Sequence, residues 1–333
     1  MKYCVKLGNC LKELKNIPDE SCRCCVTSPP YWGLRDYLED EQLGMEDTPK
    51  EFVENMVEVF REVKRILTPD GTFWLNIGDS YVSAPTGSRG NCTGKDQGFG
   101  QNHKHSGAAL KRRDKRLKDL PEKNLVGVPW RLALALQDDG WILRQDIIWA
   151  KTNAMPESVR DRCTKSHEYI FLLSKQKKYF YDHKSIMEKA AYDGRKDTKL
   201  KGSQKYEDGD FLQSKNEQTF HSQAHERWPN MKDGVRMRNK RSVWHINTAQ
   251  FKGGHFAVMP IELAQNCIKA GSEKDDWILD PFSGAGTTGV AAVGLDRNYI
   301  GVELNPEFRG ISLDRLDEVE PLFSEEVDNI VND

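Results

Sequence analysis

Two short stretches of this chain combine residue types suited to chemistry. The first is Thr27-Ser28-Pro29-Pro30-Tyr31-Trp32. Two consecutive prolines fix the backbone and lack N–H donors, so their carbonyls are left pointing outward as acceptors. Ser28 adds a hydroxyl acceptor, and Tyr31 and Trp32 offer flat faces. Acceptors beside an aromatic plate suit a planar base that carries an exocyclic NH2. A Pro-Pro pair also serves as a plain turn with its aromatics in the core. Five adjacent residues each matching one role favour the chemical reading.

The second stretch is Asp280-Pro281-Phe282-Ser283-Gly284-Ala285-Gly286-Thr287-Thr288-Gly289. Gly284, Gly286 and Gly289 fit the GxGxxG spacing between a predicted strand and helix. Glu303 follows about 20 residues beyond the first glycine, where a ribose-binding carboxylate belongs. Thr287 and Thr288 can offer hydroxyls or amides to a carboxylate at a helix N-terminus, or simply cap that helix. The pattern points to an adenosine-type cofactor and, alone, leaves a nicotinamide-dependent oxidoreductase open. Position argues against that class. A dinucleotide domain opens with this unit and builds forward, whereas only one further strand is readable after it here, so the order is permuted.

The elements that must hold these stretches alternate strand and helix. Tyr3–Leu7 reads as a strand, residues 10–17 as a short helix and Cys22–Thr27 as a strand running into the Pro-Pro tip. Thr48 and Pro49 start a helix with Phe52, Met56, Val59, Val63 and Ile66 on one stripe. Thr68-Pro69-Asp70-Gly71 is expected to stop it, and 72–77 to form the next strand. Further on come a helix at 129–137, strands at 141–149 and 168–174, a helix at 260–270 and strands at Trp277–Asp280 and 299–304. This alternation predicts a mostly parallel α/β sheet. Residues 82–123 and 192–240 are polar and lack a period, as functional loops do.

The charge balance narrows the partners. The net charge is −2 and the mean hydropathy −0.70, so a polyanion must be met by local clusters rather than by the whole molecule. Lys104, Lys111, Arg112, Arg113, Lys115, Arg116 and Lys118 form one cluster; Lys232, Arg236, Arg238, Lys240 and Arg241 form another. Asp317, Glu318, Glu320, Glu325, Glu326, Asp328 and Asp333 read as a solvated acidic tail. The eight cysteines are scattered. Cys22 and Cys25 have CxxC spacing without a second pair to complete a metal site, so no metal is expected and they read as core. No signal-like or membrane-spanning run is readable, which suggests a cytoplasmic chain.

Taken together, these residues give the chain a family likeness. It resembles the amino-methylating DNA methyltransferases that carry Ser-Pro-Pro-Tyr or Asp-Pro-Pro-Tyr tetrapeptides, specifically the beta-ordered group: catalytic tip first, target-recognition region next, cofactor loop last. The resemblance covers most of the chain outside 84–120 and 185–242. Trp74-Leu75-Asn76-Ile77-Gly78-Asp79-Ser80-Tyr81 matches the strand beside the tip, and His255-Phe256-Ala257-Val258-Met259-Pro260 the segment packed on the methionine part of the cofactor. Gly8-Asn9-Cys10 usually reads Gly-Asp-Cys and lines the cofactor's adenine. The resemblance implies a Rossmann-like, circularly permuted S-adenosylmethionine-dependent fold. Residues 1–83, 121–184 and 243–316 would be catalytic, 84–120 a basic insertion, 185–242 a target-recognition region and 317–333 the acidic tail. It also implies double-stranded DNA as substrate, a possible cognate restriction endonuclease, and a monomer or homodimer. Thr-Ser-Pro-Pro-Tyr-Trp is typical of cytosine-N4 enzymes, with adenine N6 as the alternative.

The expected mechanism follows from the weak nucleophilicity of an exocyclic amine. Ser28 Oγ and the Pro29 carbonyl would accept its N–H bonds, beside Pro30 and a stacked Tyr31, after the base leaves the duplex. Asp79 would support Ser28 or take the proton, or else simply cap a turn or helix. Asn9, Phe256, Asp280, Phe282, Gly284, Gly286, Thr287, Thr288 and Glu303 would hold the cofactor. Lys111, Arg112, Arg113, Arg236, Arg238, Lys240 and Arg241 would meet DNA, although charge runs are often plain solvated loops. Attack on cytosine carbon 5 needs a Pro-Cys nucleophile, which the sequence lacks.

Overall fold

The computed structural model describes residues 1–34, 39, 41–83, 117–190, 231–232, 235–249 and 258–319, with side chains described outside 231–236. In chain order the elements are β1 (Tyr3–Leu7), α1 (Cys10–Glu13), a 3-10 turn (Leu14–Asn16), β2 (Cys22–Thr27), α2 (Pro49–Ile66) and β3 (Leu67–Ile77). There follow α3 (Val128–Asp138), β4 (Ile142–Lys151), β5 (His167–Ser174), β6 (Glu188–Lys189), β7 (Met231–Lys232) and β8 (Val235–Arg238). The last are β9 (Val243–Ile246), α4 (Ile261–Gly271), β10 (Trp277–Asp280), α5 (Thr287–Val293), β11 (Asn298–Glu303) and α6 (Pro306–Val319).

Two compact units emerge, residues 1–182 with 242–333 and residues 183–241. The smaller holds an antiparallel arrangement in which β8 pairs with both β6 and β7. The larger is built on an eight-stranded sheet in the order β1-β11-β10-β2-β3-β5-β4-β9. All its pairings are parallel except those of β5, which runs against both β3 and β4. The last strands of the chain, β10 and β11, lie between β1 and β2, as a permuted order requires.

Strand alternation gives the sheet two covered faces. Phe73, Leu75 and Ile77 join Phe52, Met56 and Phe60 of α2 and Leu132 and Leu136 of α3 in one hydrophobic core. Thr72 and Trp74 turn to the other face, against α4. Gly271 packs there so tightly that a Cβ would stand 2.5 Å from Thr72 Oγ1 and 2.9 Å from Trp74 Nε1. The sheet is therefore a Rossmann-like α/β layer with helices on both faces.

Several boundaries differ from the sequence reading. The 10–17 helix is one α-turn followed by the 3-10 turn. β3 begins at Leu67, not 72, because Leu67 already pairs with Cys22 and residues 68–71 are taken up where the register shifts. Arg23, ion-paired to Asp70, ties that segment down. β9 was not readable in the sequence. α6 runs past the expected start of the acidic tail: Asn305 caps it through the amides of Glu307 and Phe308, Leu316 is buried, and Asp317 accepts from Tyr3. Residues 320–333 lie outside the described residues. Cys22 and Cys25 are buried core residues, and burial pushes the Cys22 thiol up to about 12. No helix among the described residues is long and apolar enough to cross a membrane.

Candidate active site

Parallel strands present their carboxyl ends at one edge, and there a cavity of about 960 Å³ opens, in the range of small-molecule sites. β1 delivers Asn9, β2 delivers Ser28 to Tyr31, β3 delivers Asp79, β10 delivers Asp280 and β11 delivers Glu303, all on its wall. The Pro-Pro tip and the glycine loop, distant in sequence, thus face one space.

On the loop side, Glu303 takes amides on both oxygens: Gly284 N–H at 2.7 Å on Oε2 and Asn305 N–H at 2.9 Å on Oε1. Each carboxylate oxygen keeps a second lone pair. Burial pushes this carboxyl up, against those two amides. Asp280 is buried and accepts from Thr27 Oγ1 at 2.5 Å and from the Phe282 amide at 3.0 Å. Burial still wins, and its carboxyl is pushed up to about 6. Asn9 lines the wall while its Oδ1 caps α1 through the Leu11 amide at 3.0 Å. Phe282 and Gly284 line the cavity, as do Thr287 and Thr288. Thr288 also donates to the Val26 carbonyl at 3.3 Å.

Gly286 differs from its expected place. It is not on the cavity wall; it has φ +75, and a Cβ there would overlap Ser312 Oγ. Its role is to let α6 close under the loop. Of the 255–260 segment, Phe256 lies outside the described residues, while Val258 and Met259 line the cavity.

On the tip side, Tyr31 lines the cavity with its ring against Gly78, where a Cβ would fall 2.6 Å from Tyr31 Cε2. Trp32 does not present a face to a ligand. It is buried in the core, and its indole N–H donates to the Glu46 carbonyl at 2.9 Å. Asp79 also departs from its first-named role. Its Oδ1 accepts the amides of Ser80, Gly127 and Val128 at 2.9–3.0 Å, and Oδ2 a second contact from Gly127 at 3.1 Å. It is the anion that caps the N-terminus of α3.

The profile of the N6/N4 DNA methylases matches residues 22–314. The chain belongs to that family. Among curated relatives of this methylase, M.Cfr9I of Citrobacter freundii, a Type II methyltransferase, is 42% identical over 93% of this chain and 86% of its own. The Type II methyltransferase M.SmaI of Serratia marcescens is 44% identical over 93% and 89%. Among solved structures, the cytosine-N4-specific PvuII DNA methyltransferase superposes with a TM-score of 0.60 at 18% identity, over 98% of this chain and 88% of that one. A Thermus thermophilus DNA modification methylase solved with S-adenosylmethionine gives 0.56 at 21%, over 97% and 96%. At these identities the structures share the fold.

The cavity wall also holds residues that sequence reasoning passed over. Glu168, at the start of β5, accepts from Tyr31 Oη at 2.7 Å and from Asn76 Nδ2 at 3.3 Å through Oε2, while Oε1 receives Lys151 Nζ at 2.5 Å. Lys151 in turn stands 4.7 Å above the Trp149 ring. Lys165 donates to the Asp79 carbonyl at 2.9 Å, and desolvation pulls its ammonium down. A signal was present in β5, an apolar run that carries a carboxylate, Glu168, at its amino end.

Of the residues expected to meet DNA, Lys111, Arg112 and Arg113 lie outside the described residues, as does the side chain of Arg236. Arg238 is ion-paired to Glu188 at 2.8 Å within the smaller unit. Lys240 is half-buried and Arg241 exposed.

Proposed function

We propose that this methylase transfers a methyl group from S-adenosylmethionine to the exocyclic N4 of cytosine at a specific site in double-stranded DNA. The observation that carries the reading is the shared cavity, in which Ser28 and Pro29 face the same space as the glycine loop and Glu303. The donor set fits the cofactor. Glu303 keeps one lone pair per oxygen for two ribose hydroxyls, Asn9 stands at the adenine side, and Asp280, Phe282, Gly284, Thr287 and Thr288 form the wall for the methionine end.

The bound cofactor supplies an electrophilic sulfonium methyl. Ser28 Oγ and the Pro29 carbonyl accept the two amine N–H bonds and turn the nitrogen lone pair toward that methyl. The work of the protein is positioning and electrostatics. Tyr31, braced on Gly78, stacks on a base swung out of the duplex. Residues 185–242 carry target recognition, and 84–120 form a second clamp on the phosphates. The kinship with Type II methyltransferases supports a partner endonuclease.

Cytosine is favoured by the Ser28 tip and by the fold shared with a cytosine-N4-specific enzyme. Mass spectrometry of nucleosides from DNA of a methylation-deficient host expressing the chain tests the assignment. N4-methylcytosine is expected. N6-methyladenine instead would overturn the base assignment and leave the fold and cofactor reading in place.

A further inference from the structure

The amine gives up a proton when it is methylated, and none of the residues assigned so far receives it. Asp79, the first candidate, has its carboxylate engaged by three backbone amides of the α3 cap. A different path leads out of the tip. Ser28 Oγ donates toward Tyr31 Oη at 3.5 Å, and Tyr31 Oη donates to Glu168 Oε2 at 2.7 Å. The Lys151 ammonium is the counter-ion of that carboxylate, and Asn76 Nδ2 fixes its other side. Glu168 is largely shielded, with 13% of its side chain exposed.

We propose that Ser28, Tyr31 and Glu168 form a proton relay that carries the released proton from the amine to the Glu168 carboxylate. This rests on the amine-methylation reading but not on which base is methylated. The step balances as follows. The amine nitrogen gains a C–N bond as the C–S bond of the donor breaks, and the sulfur keeps the electron pair as a neutral thioether. The nitrogen's proton passes to Ser28 Oγ, the Ser28 hydrogen to Tyr31 Oη, and the Tyr31 hydrogen to Glu168. The neutral carboxyl then releases it to solvent. The 3.5 Å link is the longest, and apo sites commonly hold such contacts loose until substrate arrives. Glu168 acts through Tyr31 and is a positioning residue for the chemistry at Ser28.

The test uses full-length protein, duplex DNA containing its site and labelled S-adenosylmethionine, in single-turnover reactions from pH 6 to 9. Tyr31→Phe keeps the ring and deletes one link; Glu168→Gln keeps the shape and deletes the acceptor. Each is expected to slow transfer by roughly 100-fold. In each, the rate should climb with pH and with added imidazole, as solvent base takes over. The double variant should be no slower than the slower single. A wild-type rate and pH profile in Tyr31→Phe would overturn the relay. So would losses that multiply in the double variant, or a Glu168→Gln defect confined to DNA affinity. If Glu168→Gln does not fold, Tyr31→Phe alone decides. Failure of the wild-type protein to label DNA would instead refute the amine-methylation reading itself.

Discussion

Thr27 and Asp280 share a hydrogen bond of 2.5 Å although 253 residues separate them. The bond joins the last residue of β2 to the last residue of β10, so the strand end that leads into Ser28 is fixed to the strand end that leads into the glycine loop. The cost is a buried carboxyl.

That carboxyl makes stability depend on pH. Burial pushes Asp280 from an ordinary 3.8 up to about 6. The folded protein therefore binds this proton more tightly than the unfolded chain does. Its contribution is fully present below about pH 4 and is lost as pH rises through 6, on the order of 3 kcal/mol over the window. Urea titrations without cofactor should show this slope in the wild type and a flatter one in Asp280→Asn. Parallel curves would remove Asp280 as its source.

Ser28→Ala should cut the single-turnover rate by about 100- to 1,000-fold, the range for losing one aligned polar partner in a closed site. Cofactor affinity, measured by calorimetry, should stay as it was. An unchanged rate would show that the Pro29 carbonyl alone orients the amine.

Glu303→Ala should weaken S-adenosylmethionine binding roughly 10- to 100-fold. Hydrogen bonds to a charged acceptor contribute about 1.5–3 kcal/mol, and each 1.4 kcal/mol is tenfold. Calorimetric titration checks this. Equal affinity in the variant would move the ribose elsewhere on the wall.

Asp79→Ala should act first on stability. Loss of a helix cap costs about 1 kcal/mol, seen as a lower urea midpoint with an unchanged slope. A stable variant that had lost only methyl transfer would restore Asp79 to the chemistry.

The parts of this site that were legible in the sequence are those encoded locally. Thr48 and Pro49 announce α2 because a capping box is a four-residue event: Thr48 and Glu51 exchange side-chain and backbone bonds as the spacing suggests. The glycine loop and the Pro-Pro tip are equally local. Glu168 was easy to pass over, because open parallel sheets place their sites at strand carboxyl ends. β5 runs antiparallel and brings its amino end to that edge. Trp32 was misread for a related reason: adjacent residues at a turn diverge, so Tyr31 reaches the cavity while Trp32 enters the core. β9 is four residues whose place is set by its pairing with β4, and pairing over such a distance leaves no local trace.

The position of β10 and β11 between β1 and β2 has a consequence during synthesis. A ribosome makes β1 and β2 early, and β2 can pair at once with β3 on one side, yet β1 has no sheet neighbour and β2 lacks its second until the final third of the chain emerges. Until then the nascent chain holds two open strand edges with unpaired backbone groups, which are templates for wrong pairing. Such late, distant closure slows folding and lengthens exposure to aggregation. The interval between translating Thr27 and translating Asp280 is thus the period in which this chain most needs a chaperone.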